Sequence, residues 1–179
     1  MDLAPYTPWM SKPTDESRRA ITRQIMDGAP EMTEGIVNGL LQIVAMEGPI
    51  LSNRAFNLYA KKGGMTKLSG IAKKRFSNAL KKAKMDGKLC MERDPSDEGV
   101  VALLWLPSMK RVNPRELGNR GFDDIPASEL GEVMFELAAE VGDEDKPKLY
   151  QAMAELYGLA QLPKKATARL DLVFKEYLT

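Results

Sequence analysis

From residue 36 to residue 83 the apolar positions fall into three helical stripes, each closed by a glycine. Ile36, Val37, Leu40, Leu41, Ile43 and Val44 mark the first. Gly48-Pro49 is expected to end it, the glycine taking a left-handed cap and the proline blocking continuation. Ser52 is the expected cap of a second helix, with Ala55, Phe56, Leu58 and Tyr59 inward and Gly63-Gly64 as its stop. Thr66 or Ser69 opens a third, running to about Asp86-Gly87. Upstream, Pro5, Pro8 and Pro13 keep the chain extended, and Trp9 is a candidate anchor. Asp15 or Ser17 begins a short helix that reaches Met26 before Gly28-Ala29-Pro30.

The third helix is the most informative. At about 100° per residue, Ala72, Phe76, Ala79, Leu80 and Ala83 share one face, with Lys74, Asn78 and Lys81 opposite, flanked by Ser77 and Lys82. After it, KLCMER and VVALLWL read as two strands joined by the turn-rich DPSDEG. Three helices and then a hairpin is the order of a winged helix-turn-helix, with the third helix for recognition and the hairpin as wing.

A shift of 94 residues aligns positions 36–85 with 130–179 without a gap. Gly48 and Gly64 fall on Gly142 and Gly158, Arg75 on Arg169, and Leu40, Leu41, Ile43, Tyr59, Phe76 and Leu80 on apolar partners. The expected fold is mainly α with a small β-hairpin: a winged helix-turn-helix unit, then a wingless three-helix repeat of it. The divisions are an N-terminal arm and short helix (1–32), a winged domain (33–107), a linker (108–127) and the second helical unit (128–179).

Composition narrows the chemistry. The 179 residues contain no histidine and one cysteine, Cys90. A Ser-His-Asp triad, a Cys-His pair, histidine metal ligands and intrachain disulfides are therefore excluded. No catalytic constellation is recognisable, and no cofactor is expected. The acidic runs around Asp94-Asp97-Glu98 and Asp143-Glu144-Asp145 lack the spacing of an EF-hand, so no metal is assigned. Met46, Met134 and Met153 lie on apolar helix faces and read as core, and Cys90 as a small buried hydrophobe. The longest nearly apolar stretch, Gly99 to Pro107, is too short to span a bilayer, and the N-terminus lacks the pattern of a signal peptide. A cytoplasmic protein that does not enter membranes is expected.

Charge changes the picture more. The formal net charge is +1, yet residues 51–88 hold eleven basic side chains against Asp86 alone, net +10. Residues 113–179 hold eight basic against thirteen acidic, net −5. Ten excess positive charges in 38 residues is the footprint of a polyanion-binding face. The candidate nucleic-acid-binding residues are Lys61, Lys62, Lys67, Lys73, Lys74, Ser77, Asn78, Lys81, Lys82 and Lys84. Asparagine pairs bidentately with adenine in the major groove, which makes Asn78 the candidate base contact, with lysines on phosphates. Arg75, at the edge of the core, is assigned a structural salt bridge. Lys110, Arg111, Arg115 and Arg120 of the linker are expected to add positive charge across the body. Against this stands the wing, where Asp94, Asp97 and Glu98 would repel phosphates.

Four short motifs carry a family resemblance: Tyr6-Thr7-Pro8-Trp9, Glu47-Gly48-Pro49-Ile50, Gly64-Met65-Thr66-Lys67-Leu68-Ser69 and Asp123-Asp124-Ile125-Pro126-Ala127-Ser128-Glu129-Leu130. Their order resembles a C-terminal domain of unknown function on large bacterial helicase-like proteins, several with nuclease modules. The resemblance covers about residues 4–140 and implies a bacterial or phage winged-helix-like module working beside nucleic-acid enzymes, in defence or DNA processing. It implies no catalytic residues. The expected function is non-enzymatic binding of double-stranded DNA through residues 66–86, as a regulator or in such a pathway. The competing expectation is an adaptor or homo-oligomerising module that docks an acidic partner such as a helicase or nuclease subunit.

Overall fold

The computed structural model describes residues 1–95 and 101–179. It is mainly helical, with a small three-stranded antiparallel sheet. The elements are α1 (Asp15–Met26), α2 (Pro30–Glu47), β1 (Ile50–Leu51), α3 (Ser52–Lys62), α4 (Gly70–Met85), β2 (Cys90–Arg93), β3 (Ala102–Trp105), a 3-10 turn (Phe122–Asp124), α5 (Ala127–Val141), α6 (Lys146–Leu156) and α7 (Ala166–Tyr177). Among the described residues no helix is long and apolar enough to cross a membrane.

The chain divides into two compact units. One comprises Pro8–Glu92 and Ala102–Lys110 and contains α1 to α4; the other comprises Met1–Thr7, Arg93–Val101 and Arg111–Thr179 and contains α5 to α7.

In the α1–α4 unit, α2 supplies Ile36, Val37, Leu40, Ile43 and Val44 to the core. Facing them are Ala55, Phe56, Tyr59 and Ala60 of α3 and Ala72, Phe76, Ala79, Leu80 and Ala83 of α4. Phe76 is fully buried and meets Phe56 and Tyr59 edge to face, with ring centroids 5.6 and 5.3 Å away. Ile21 and Ile25 of α1 join the same core. β1 pairs antiparallel with β3 (Ile50 opposite Leu104, Leu51 opposite Leu103), and the strand order is β1-β3-β2.

Local chemistry sets the helix ends. Thr14 caps α1, its hydroxyl accepting from the Ser17 amide at 3.0 Å while the Thr14 amide donates to the Ser17 hydroxyl at 2.9 Å. The cap is thus neither of the expected Asp15 and Ser17, both of which lie inside α1. Ser69 caps α4, accepting from the Ala72 amide at 3.1 Å. Ser52 is not a cap: it is the first residue of α3, after Leu51, and its hydroxyl accepts from the Ala102 amide at 3.0 Å. Gly48 has φ −66, so α2 does not end through a left-handed residue. Glycine is required there by crowding, because a Cβ would stand 2.5 Å from the Val44 carbonyl oxygen.

In the α5–α7 unit several local features recur at positions 94 residues on from those of the α1–α4 unit. α6 begins and ends 94 residues after α3. Both lead to glycines in the left-handed region, Gly64 at φ 76 and Gly158 at φ 72. The closing hydrogen bonds correspond: Gly64 and Met65 donate to Lys61 and Ala60, and Gly158 and Leu159 to Glu155 and Ala154. Positions 94 apart are buried alike: Ile36 and Leu130, Leu40 and Met134, Phe56 and Tyr150, Phe76 and Leu170, Ala79 and Val173. Phe135, aligned with half-buried Leu41, departs from this and is 62% exposed.

Several assignments from sequence change. Met46 is 47% exposed rather than core, whereas Met134 and Met153 are buried. Cys90 is half-buried. Among the described residues Arg75 finds no salt-bridge partner; its Nε donates to the Ile25 carbonyl at 3.1 Å. Arg169 does the corresponding work in the other unit, donating to the carbonyls of Phe122 and Ile125.

Candidate nucleic-acid interface

The α1–α4 unit holds sixteen basic against eight acidic side chains, net +8; the α5–α7 unit holds ten against seventeen, net −7. The positive charge is organised by α4. Its core face is buried from Ala72 to Ala83, which turns Ile71, Lys74, Asn78, Lys81 and Met85 outward in one row, all of them exposed. Lys73 and Lys84 are exposed beside that row, and Ser77 is half-buried.

The remaining candidates are distributed as follows. Lys61, at the end of α3, and Lys67, in the turn before α4, are exposed. With Asn57, Met65, Thr66 and Leu68 they line a surface depression of about 470 Å³. Lys62 is half-buried, its ammonium 5.6 Å from the centre of the Trp9 ring. Trp9 is packed against the core, and its amide donates to Glu47 Oε1 at 2.8 Å. Glu47 is 1% exposed and also accepts from Arg54 at 2.7 Å.

Lys82 differs from its neighbours because it is already paired. Its ammonium lies 2.6 Å from Asp86 and 3.5 Å from Glu34, while Lys88 reaches Glu34 at 3.3 Å. The hydrogen bond to Asp86 raises the pKa of Lys82, and the same bond lowers that of Asp86. The pair is exposed and solvent-screened, so it holds Lys82 only weakly. Among the described residues Lys61, Lys67, Lys73, Lys74, Lys81 and Lys84 enter no ion pair.

Two expectations about charge are overturned in part. Lys110 and Arg111 of the linker are exposed, but Arg115 and Arg120 do not add positive surface. Both are 5% exposed and flank Glu129, with nitrogen–oxygen distances of 3.2 and 2.9 Å. Their guanidinium carbons lie 5.3 and 4.4 Å from the centre of the Tyr6 ring. Both guanidinium groups are buried on one shared carboxylate, which segment-wise counting does not register. Asp94, counted among the repelling acids of the wing, is 2% exposed, and its Oδ2 accepts from the Ala127 amide at 2.8 Å, at the start of α5. Asp97 and Glu98 lie outside the described residues.

Sequence reasoning passed over Ile71 and Met85, 56% and 86% exposed, at the two ends of the outward row. It also passed over Arg18, Arg19 and Arg23 of α1, all exposed, because residues 1–30 sum to zero. A wheel drawn for α1, with Ile21 and Ile25 inward, separates these arginines from the core face. No protein-family model matches the chain, and no curated protein or solved structure matches it.

Proposed function

We propose that this chain is a non-enzymatic DNA-binding protein that contacts a duplex through α4. The observation that carries the reading is the exposed row of Lys74, Asn78 and Lys81 opposite a fully buried face. A major groove about 12 Å wide accepts one α-helix, and a helix entering it needs an apolar back and a polar, cationic front. On this reading Asn78 meets a base edge, adenine suiting its amide best. Lys74 and Lys81 take a base or a phosphate, and Lys61 and Lys67 take the backbone beside the turn.

The order α2–β1–α3–α4–β2–β3, with the strands arranged β1-β3-β2, supports a winged helix-turn-helix in which α4 is the recognition helix. The matched helix ends and buried positions support the α5–α7 unit as a wingless copy. Its α7 has Ala168 and Leu172 where α4 has Lys74 and Asn78, so we assign it no phosphate contacts. A cytoplasmic role beside a helicase or nuclease belongs to the same proposal.

Affinity for a mixed-sequence duplex, measured across a salt series, tests the reading. Log affinity is expected to fall linearly with log salt. Changing Lys74 and Lys81 to alanine lowers the slope by up to about 2, roughly one for each of the two that sits on a phosphate. A flat response, or no binding at low salt, overturns the reading.

A second reading is favoured by Ile71 and Met85: exposed apolar side chains at both ends of a basic row suit an acidic protein partner or a second copy of this chain. Self-association that dissolves with salt, in a protein without duplex affinity, selects it.

A further inference from the structure

We propose that α1 supplies a second set of phosphate contacts, Arg19 and Arg23, flanking the face of α4. The proposal rests on the DNA-binding reading above and extends its footprint to a helix whose surrounding segment sums to zero charge.

Three observations carry it. First, α1 is fastened to both sides of the turn between α3 and α4. The Ser17 hydroxyl donates to the Lys62 carbonyl at 2.7 Å, at the end of α3. The Arg18 side chain lies over the turn, so that a Cβ on Gly64 would stand 2.7 Å from its Nη1. At the other end of α1, Arg75 of α4 donates to the Ile25 carbonyl at 3.1 Å. The helix therefore runs beside the basic surface in a fixed position. Second, Ile21 and Ile25 are buried, which turns Arg19, Thr22, Arg23 and Met26 to solvent; with Arg18 they line a shallow depression of about 390 Å³. Third, among the described residues Arg18, Arg19 and Arg23 enter no ion pair, although Asp15 and Glu16 lie in the first turn of the same helix. Arg54, by contrast, is paired with buried Glu47, and Arg115 and Arg120 share buried Glu129. A guanidinium left unpaired beside a cationic surface gains from a phosphate what it lacks from its own chain, and its planar fork matches phosphate oxygens.

The test compares the full-length protein with the variant R19A/R23A, both on the exposed side of α1, leaving Arg18 in place because it packs against the turn. Duplex affinity is measured over a salt series, with K164A/K165A as a control for removal of two charges elsewhere. Each neutralised phosphate contributes about 0.9 to the slope of log affinity against log salt, so R19A/R23A is expected to lower the slope by about 2. The control leaves the slope unchanged, and thermal melting of R19A/R23A stays at the wild-type midpoint. Wild-type binding with an unaltered slope in R19A/R23A overturns this proposal alone. So does an equal fall in the control, which would make the effect one of diffuse charge. A wild-type protein with no affinity for the duplex overturns the parent reading instead.

Discussion

Glu129 shows what one buried carboxylate can decide. It is 1% exposed, accepts the Arg115 amide at 2.9 Å, and is paired with two guanidinium groups. Removing one member of such a cluster leaves buried charge uncompensated, a loss of about 3–5 kcal/mol. Glu129→Ala is therefore expected to lower the urea midpoint sharply, and Glu129→Gln to do so nearly as much, because the amide keeps the shape but not the charge. Tyr59 makes a second prediction at this scale. Burial pushes its phenol from 10.0 up to about 12, only partly offset by the hydrogen bond to Gln24. The folded state then holds a proton that the unfolded state has released between those values, so stability falls as pH rises above about 10. The steepest contribution is about 1.4 kcal/mol per pH unit. Unfolding by urea at pH 9 and at pH 11, in wild type and Tyr59→Phe, checks it; the phenylalanine variant should lose less stability between the two. Tyr150 and Tyr157 shift in the same direction through burial, joined by Asp171 and Glu129 respectively.

At the scale of elements, α1, α4 and α6 are capped by the side chain of the preceding residue. Helices α2, α3 and α7 have no such cap, and α5 is served from far along the chain. Thr14 and Ser69 are caps of the first kind; Ser69 is one of the two residues expected to open α4, whereas the start of α1 is expected at Asp15 or Ser17. The start of α5 is of the last kind: Pro126 precedes it, and the Ala127 amide finds its acceptor in Asp94, 33 residues earlier. A carboxylate at a helix N-terminus also meets the positive end of the helix dipole. Asp94→Ala is expected to cost about 1 kcal/mol, near the value for losing a cap. Asp94→Asn should recover the hydrogen bond and part of that loss, which thermal melts of the two variants would separate. The three helical stripes between residues 36 and 83 were legible because period, glycine stops and core faces agree there. β1 was not, since two residues carry no period to read. The roles of Ser52 and Gly48 were misread because both depend on what approaches them: the Ala102 amide in one case, Val44 and Met109 in the other.

For the whole molecule, the net charge of +1 is a cancellation between a unit of +8 and a unit of −7. Affinity for a polyanion is thus expected to respond to neutralisation of Lys74 and Lys81 and to be indifferent to that of Lys164 and Lys165, a contrast that one salt series measures. The sequence by itself determined the helical character of both units and the inward faces of α2, α3 and α4. Each of these follows from periodicity and local backbone preference, which are properties of neighbours along the chain. It also determined that Lys74, Asn78 and Lys81 share a face, since residues three and four apart on one helix must. Apart from Lys82 and Asp86, four residues apart and so readable locally, tertiary structure decided which charges remain available. Lys82 is held by Glu34 and Asp86, Arg115 and Arg120 by Glu129, and Asp94 by the start of α5, while Arg19 and Arg23 stay exposed and, among the described residues, outside any ion pair. A charge's partner is chosen by distance in space. Most of these partners stand between 9 and 48 positions away along the chain, beyond the reach of any local pattern.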